Sequence, residues 1–271
     1  WGDCGENHVG NQLVGKKQET GTGVTIADLR SLKAMLEKDW LLRCELKVFA
    51  VPPGCPHEDE AGVLIVRELL SEQEQKELHE ELNAKTWDAK FYDTRRKKVL
   101  NKWARENLIF QRGVSQNAVY EEGKGTICDM NKMVHLSAAD EKIRQISAMI
   151  AQFSTTNTRD CPLICEGNKY RTQATTLAQQ QGIRHHGDTE RTRVFAASIG
   201  GYNYPMQWVL FKNSLPQMEP EKVRLNSGDV YIMSELAVGQ LSNKKSQWTW
   251  RHAAGHPKYL SLDKYKNKRR R

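Results

Sequence analysis

The chain has 271 residues and a formal net charge of +8, with 38% hydrophobic and 27% charged residues. That length allows one large domain or two small ones, enough to bury a substantial core without disulfide staples. The longest apolar runs, such as the six residues Ala61–Val66 and the four of Trp208–Phe211, are too short to span a bilayer as a helix.

The opening Trp1-Gly2-Asp3 lacks the basic and apolar stretches of a secretory signal. Without an initiator Met, it reads as following residues that were removed or that belong to a longer parent. Six cysteines are scattered along the chain: Cys4, Cys44, Cys55, Cys128, Cys161 and Cys165. Only Cys161 and Cys165 are close in sequence, and no second pair completes a zinc site. Reduced thiols, and hence a cytosolic or nuclear protein, are expected.

Positive charge is concentrated in two blocks. The tail from Asp263 to Arg271 holds six bases and one acid, leaving +3 for residues 1–262. The second block, Arg95, Arg96, Lys97, Lys98, Lys102 and Arg105, places six bases in eleven residues without an acid. Such blocks neutralise phosphates, act as a nuclear address, or are simply solvated.

No repeat or low-complexity stretch interrupts the chain. Residues 1–24 are glycine-rich and polar. Thr25, with Asp28 three residues on, reads as the cap of a helix carrying Ile26, Leu29, Leu32, Met35, Leu36 and Leu42 at helical spacing. Val51–Glu60 reads as a loop, predicting a boundary between an N-terminal appendage (1–50) and a main domain (51–262), with 263–271 a basic tail. Gly62–Val66 reads as a buried strand. Ser71 and Glu74 form a capping box that starts a helix reaching about Ala84, and a further helix is predicted over Asp140–Phe153. Short strands follow at Val194–Ile199, Gln207–Phe211, Lys222–Leu225, Asp229–Met233, Thr249–His252 and Tyr259–Leu262. Helices first and strands afterwards indicate an α+β protein whose β part closes as a barrel or two-sheet roll.

The chemistry-bearing stretch is Gly182-Ile183-Arg184-His185-His186-Gly187-Asp188. On extended backbone, His186 and Asp188 point to the same side while His185 points away, which suits a capping or supporting role for His185. An imidazole and a carboxylate ligate a first-row divalent metal, and one more His would complete a facial triad with open positions opposite. His252, 64 residues after Asp188 in a strand-like segment, suits that place. The pair alone is a weak signal, because a surface His beside an Asp is common. His8, His57, His79 and His135 read as surface or satisfied histidines, and His256 as part of the turn after the ligand strand.

The ordered set Asn168-Lys169-Tyr170, His186-Gly187-Asp188, Ser198-Ile199-Gly200, Gly228-Asp229, His252 and Lys258-Tyr259 resembles the AlkB-like branch of the Fe(II)/2-oxoglutarate dioxygenases. Three further blocks, Val99–Arg105, Gly187–Arg191 and Met233–Glu235, look like uncharacterised AlkB-like proteins of large DNA viruses and protists. The resemblance spans about residues 60–262. It implies a double-stranded β-helix (jelly-roll) core with flanking helices. It also implies Fe(II) held by His186, Asp188 and His252, and 2-oxoglutarate hydrogen-bonded by Asn168 and Tyr170, with dioxygen as the other co-substrate. AlkB-like proteins anchor the distal carboxylate with the first of two arginines on the final strand. This chain has Lys258 and Lys264 there, so Lys258 is the expected anchor, with Arg251 and Arg191 in reserve.

The reaction so implied hydroxylates a C–H bond, producing succinate and CO2; on an N-methyl group the product loses formaldehyde. For the substrate, a modified base in DNA or RNA is the leading reading. The cations Arg95, Arg96, Lys97, Lys98, Lys102 and Arg105, interleaved with Trp87, Phe91, Tyr92 and Trp103, suit an extruded base and its phosphates. The same aromatics could equally pack a helix onto the sheet. A protein side chain or a small molecule stays open as substrate, as do an inactive basic nucleic-acid-binding module and a zinc hydrolase.

Overall fold

A computed structural model describes residues 1–156, 162–171 and 180–266. In chain order, its first half comprises β1 (Cys4–Glu6), β2 (Leu13–Gly15), α1 (Ile26–Asp39), β3 (Cys44–Val48), β4 (Gly62–Val66), α2 (Glu72–Asn83), β5 (Lys90–Asp93), β6 (Lys98–Asn101), β7 (Glu106–Gln111), β8 (Ile127–Asp129) and α3 (Val134–Phe153). Then follow β9 (Cys165–Lys169), β10 (Gly182–His186), β11 (Val194–Ala197), β12 (Tyr204–Lys212), β13 (Leu215–Pro216), β14 (Glu221–Leu225), β15 (Val230–Met233), α4 (Glu235–Val238), β16 (Thr249–Gly255), α5 (Pro257–Leu260) and α6 (Asp263–Lys266). The protein is α+β and sheet-rich, with several antiparallel sheets and a curled half-barrel sheet.

Two sheets carry the architecture. One has the order β10-β16-β12-β13, with β14 also on β12; the other has the order β11-β15-β4-β3. Between them pack Val63 and Ile65 of β4, Met206, Trp208 and Leu210 of β12, and Trp250 and Ala254 of β16. The opposite face of β4, Leu64 and Val66, packs with Leu29, Leu32 and Leu36 of α1 and Ile143, Ile146 and Ile150 of α3. Covered on both faces, β4 is buried at every position. That is why its sequence is continuously apolar rather than alternating.

The helices begin where backbone donors find acceptors. Thr25 Oγ1 accepts from Asp28 N at 3.0 Å and Asp28 Oδ2 accepts from Thr25 N at 2.8 Å, so α1 starts as its capping box predicts. Ser71 and Glu74 do the same for α2. The helix α3 starts at Val134, ahead of the predicted Asp140, because its cap is remote. The Glu81 carboxylate of α2 accepts from His135 N at 3.3 Å and Leu136 N at 2.8 Å.

Three further expectations need correction. Residues 1–50 do not sit beside the main body as an appendage. β3 pairs with β4 along its whole length, α1 buries its apolar stripe in the main core, and buried Asp3 accepts from the backbone N–H of Thr192 and Arg193 at 3.1 and 2.9 Å. The predicted strand Tyr259–Leu262 is replaced by helix α5. Pro257 occupies its first turn and His256 Nδ1 accepts from Lys258 N at 3.3 Å. The start of the basic tail is α6, whose buried Tyr265 packs edge-on to Phe211 with centroids 5.2 Å apart. Residues 267–271 and Cys161 lie outside the described residues. Cys4, Cys44, Cys55, Cys128 and Cys165 are free thiols. Among the described residues, no helix is long and apolar enough to cross a membrane.

Candidate metal centre

Strands β10 and β16 are antiparallel neighbours in which Ile183 pairs with Ala254 but His186 pairs with His252. Three steps along β10 match two along β16, so β10 carries a bulge. The bulge decides which histidine enters the site. Ile183 faces the inter-sheet core, and simple alternation would send His185 inward too; the extra residue turns His186 inward and His185 outward. The rings of His186 and His252 lie 4.3 Å apart. On the outer face, buried His185 Nε2 accepts from the Gln207 amide at 2.9 Å, and that amide also donates to the Leu260 carbonyl at 2.7 Å. Burial first, and neighbouring cations second, push the His185 pKa down to about 4, so it is neutral at physiological pH.

Asp188 follows the strand end. Its Oδ1 lies 3.4 Å from His186 Nε2 and 3.6 Å from His252 Nε2. Ligands about 2.1 Å from one shared ion stand roughly 3.0–3.5 Å from each other, so this spacing fits a single metal. Donor atoms of the three residues all lie within 4.8 Å of one another. His186 Nδ1 meets two acceptors, the carbonyl oxygens of Arg184 at 2.8 Å and His252 at 3.1 Å. A carbonyl can only accept, so Nδ1 carries a proton and Nε2 is the ring nitrogen turned to the centre. Burial, reinforced by His186 alongside, pushes the His252 pKa down to about 3, keeping it in the neutral, ligating form. Burial opposes ionisation of Asp188, but His252, His186 and Arg191 around it outweigh that and hold it below the usual carboxylate range.

Two features fix Asp188 in place. Its backbone N–H donates to the Val238 carbonyl at 3.1 Å. At Gly187 an added Cβ would stand 2.1 Å from the Gly239 carbonyl oxygen, so the chain passes there only as glycine. Behind the carboxylate lies buried Arg191, 3.9 Å from Asp188 Oδ2 and bonded to Glu166 at 2.7 Å and Glu190 at 2.9 Å. One oxygen of Asp188 thus faces the histidines and the other faces a guanidinium.

The remaining predicted residues divide. Asn168, on β9, accepts from Arg105 Nε at 2.5 Å, and Tyr170 just beyond it stacks obliquely on Tyr204 with centroids 5.8 Å apart. Burial pushes the Tyr170 pKa up to about 12, and both Arg105 and Asp188 are close enough to act on it. Lys258 does not lie on a final strand: it belongs to α5, and its ammonium sits 5.1 Å from the Tyr259 ring centroid. Of its reserves, Arg251 stacks 4.5 Å over Phe211 and donates to Ser242 O at 2.9 Å, and Arg191 is taken by the acids just named.

The basic block also divides. Arg95, Arg96 and Lys97 lie in the turn of the β5–β6 hairpin and Lys98 opens β6, all exposed. The Arg95 and Arg96 N–H groups donate to Asp93 Oδ1 at 3.0 and 2.8 Å, closing that turn. Lys102 turns inward and donates to Asn107 Oδ1 and, at 3.3 Å, to the Asn7 carbonyl. Burial pushes the Lys102 pKa down to about 8. A cavity of about 490 Å³ opens between this block and the N-terminal loop, lined by His8, Phe91, Arg96, Lys102, Trp103 and Arg105 among others. Trp103 is 71% exposed there, whereas Trp87 packs against Phe110 with its indole N–H on the Leu82 carbonyl at 2.9 Å.

Sequence reading did not single out Tyr204, which lies ahead of the predicted strand Gln207–Phe211, nor Tyr231, which read only as a strand residue, nor Glu166, which no local pattern ties to Arg191. Arg191 reads from the sequence only as a reserve anchor for the co-substrate, not as the partner of Asp188 that it is.

Together these features define an α+β protein with a His/Asp/His group able to hold a metal ion. No family model matches the chain. It is 30% identical over 264 residues to an uncharacterized protein of Acanthamoeba polyphaga mimivirus, an alignment covering 95% of this chain and 94% of the viral one. The chain belongs to the family of that mimivirus protein.

Proposed function

We propose that the protein is an Fe(II)- and 2-oxoglutarate-dependent dioxygenase of the AlkB-like kind, with a double-stranded β-helix core, that hydroxylates or oxidatively demethylates a modified base in DNA or RNA. The convergence of His186, Asp188 and His252, with His252 buried and the other two half-buried, is the observation that carries the reading. Two imidazoles and one carboxylate suit a first-row divalent ion and leave further positions for a co-substrate. Bound there, ferrous iron with 2-oxoglutarate and dioxygen would supply C–H hydroxylation, with succinate and CO2 as co-products.

This chain's own residues have separate tasks in that chemistry. His186 and His252 would present Nε2, and Asp188 its Oδ1, while Arg191 would keep the other carboxylate oxygen turned away. Asn168 and Tyr170 would face the co-substrate. Trp208, whose ring lies 6.4 Å from that of His252, and Trp250 would keep bulk water from the inner side of the centre.

Support for a nucleic-acid substrate comes from the hairpin tip with Arg95, Arg96, Lys97 and Lys98, and from the adjoining cavity with exposed Trp103. Such a surface offers cations to phosphates and an aromatic face to a base. The test is succinate formation by Fe(II)-loaded protein, with and without methylated single- and double-stranded oligonucleotides, and with His186→Ala as the blank. Stimulation by one modified base supports the full reading. Turnover that no oligonucleotide stimulates moves the substrate to a protein side chain or small molecule. No succinate under any condition overturns the enzyme and leaves a basic binding module.

A further inference from the structure

The cavity between the N-terminal loop and the basic block stands apart from the metal centre: His186, Asp188 and His252 take no part in its lining. Asn7 and His8 supply one wall, ahead of residues 60–262 over which the dioxygenase resemblance runs. The β5–β6 hairpin supplies another, and residues 102–105, leading into β7, the third. The loop is held firmly. Asn7 Nδ2 donates to the Gly123 carbonyl at 3.0 Å, and the Asn7 carbonyl accepts from Asn107 Nδ2 at 2.9 Å and Lys102 Nζ at 3.3 Å. The cavity is therefore formed before a ligand arrives, which lowers the ordering cost of binding.

Its lining combines aromatic rings with cations. The His8 ring lies on Phe91 with centroids 3.6 Å apart, and Trp103 exposes most of its indole at the same cavity. Burial, with Lys102 and Arg105 nearby, pushes the His8 pKa down to about 4, so its ring stacks as neutral imidazole. Arg96, Lys102 and Arg105 line the same space, and none of the described lining residues is acidic. Lys102 is committed to Asn7 and Asn107, which leaves the two guanidiniums to face a ligand. Rings for a π-face and cations without acids suit a nucleotide, whose base stacks while its phosphate takes the charge. A base offers its face to such rings only when it is out of the duplex stack.

One edge of the cavity adjoins the metal-bearing strand. The Ala104 carbonyl accepts from the Gly182 N–H at 3.0 Å, and Gly182 opens β10, which ends at His186. Four strand steps separate Gly182 from His186, roughly 13 Å of extended backbone. The Arg96 edge belongs to the exposed hairpin tip. A chain of nucleotides with one member at the metal thus has this cavity along its path for another.

We propose that the cavity seats an unpaired nucleotide flanking the reacting one, with its base against Trp103 and the His8–Phe91 pair and its phosphate between Arg96 and Arg105. The proposal rests on the nucleic-acid reading and narrows it: the substrate is single-stranded beside the target. It also gives His8 and Phe91 a binding role.

Fluorescence anisotropy of labelled thymidine and uridine hexamers, titrated with the full chain without added metal, tests it. The comparison is with an abasic hexamer that keeps every phosphate. Trp103→Ala, whose exposed side chain leaves the wild-type melting temperature unchanged, is expected to bind a normal hexamer about fivefold or more weakly. Wild type should bind the abasic hexamer with a similar loss, and Trp103→Ala should weaken that binding no further. Arg96→Gln and Arg105→Gln should weaken both kinds of hexamer. Unchanged affinity of Trp103→Ala for the normal hexamers, or an equal loss on normal and abasic ones, overturns the seat while leaving the nucleic-acid reading. Failure of the wild-type protein to bind any hexamer overturns both. The metal-free titration reads neither iron nor turnover, so its outcome is separate from that of the succinate test.

Discussion

His186 and His252 face each other across β10 and β16 with ring centroids 4.3 Å apart, and a single oxygen of Asp188 approaches the Nε2 atoms of both. The pairing exists because β10 carries one residue more than β16 over the same span. It brings three ligating atoms to one point before any ion arrives.

The first expectation follows from that preformed arrangement. An ion that binds only the folded protein, at about a hundredfold excess over its dissociation constant, adds about 2.7 kcal/mol, roughly 5–10 °C in Tm for a chain of this size. Wild-type protein should show that rise with Mn(II) or Co(II) in a thermal melt. Asp188→Asn and His252→Ala should fold and melt cooperatively without it; an undiminished rise in either would place the ion elsewhere.

Arg191 should matter to the fold itself. It is 8% exposed and neutralises Glu166, Glu190 and Asp188 together. Arg191→Met would strand those carboxylates away from water, a loss of about 3–5 kcal/mol. Urea unfolding at pH 7.5 measures it. A loss below about 1 kcal/mol would mean that the network is solvated like an exposed ion pair.

Stability should fall as the solution becomes acidic. His8, His185 and His252 have pKa values of about 4, 4 and 3 in the fold, against an ordinary 6.5. The unfolded chain therefore takes up protons first, and stability present above pH 6.5 is lost as pH falls toward 4. Glu190 works in the other direction: burial and Asp188 push its pKa up to about 7, so the stability it contributes is present below about pH 4.5 and lost as pH rises through 7. With three groups against one, the urea midpoint of metal-free protein should drop between pH 6.5 and 4.5. His185→Gln should flatten that drop, and a midpoint independent of pH in this window would contradict the burial of these histidines.

The two parts of the basic block should behave differently toward oligonucleotides. Charge reversal at Arg95, Arg96, Lys97 and Lys98 should reduce the salt dependence of single-strand binding by about 0.7 in slope for each phosphate no longer neutralised. Lys102→Ala should instead lower thermal stability and leave the slope nearly unchanged, since its ammonium is committed to Asn7 and Asn107. Equal slope changes from both would mean that Lys102 swings out to the nucleic acid.

What could be read from the sequence was largely local. The capping boxes of Thr25 and Ser71, the apolar run of β4 and the His186–Asp188 spacing are short-range signals, and each element stands where it was expected. The choice of His186 over His185 came from its relation to Asp188, although the bulge that enforces it depends on β16. Features made by distant residues were not legible. The start of α3 is capped by Glu81 of another helix, Arg191 is neutralised in part by Glu166 from β9, and Gly187 is required by Gly239 packed against it. Lys258 was misplaced for a local reason: His256 and Pro257 together start a helix where a strand was expected.

The most direct test of the account is an anaerobic titration with Fe(II) followed by 2-oxoglutarate, read by metal retention and visible absorption. The expected result is a single tightly held ion per chain and a charge-transfer absorption when the 2-oxo acid chelates it, both missing from Asp188→Ala. Folded wild-type protein that retains no iron, or an identical absorption in Asp188→Ala, would contradict the assignment of His186, Asp188 and His252 as the metal centre.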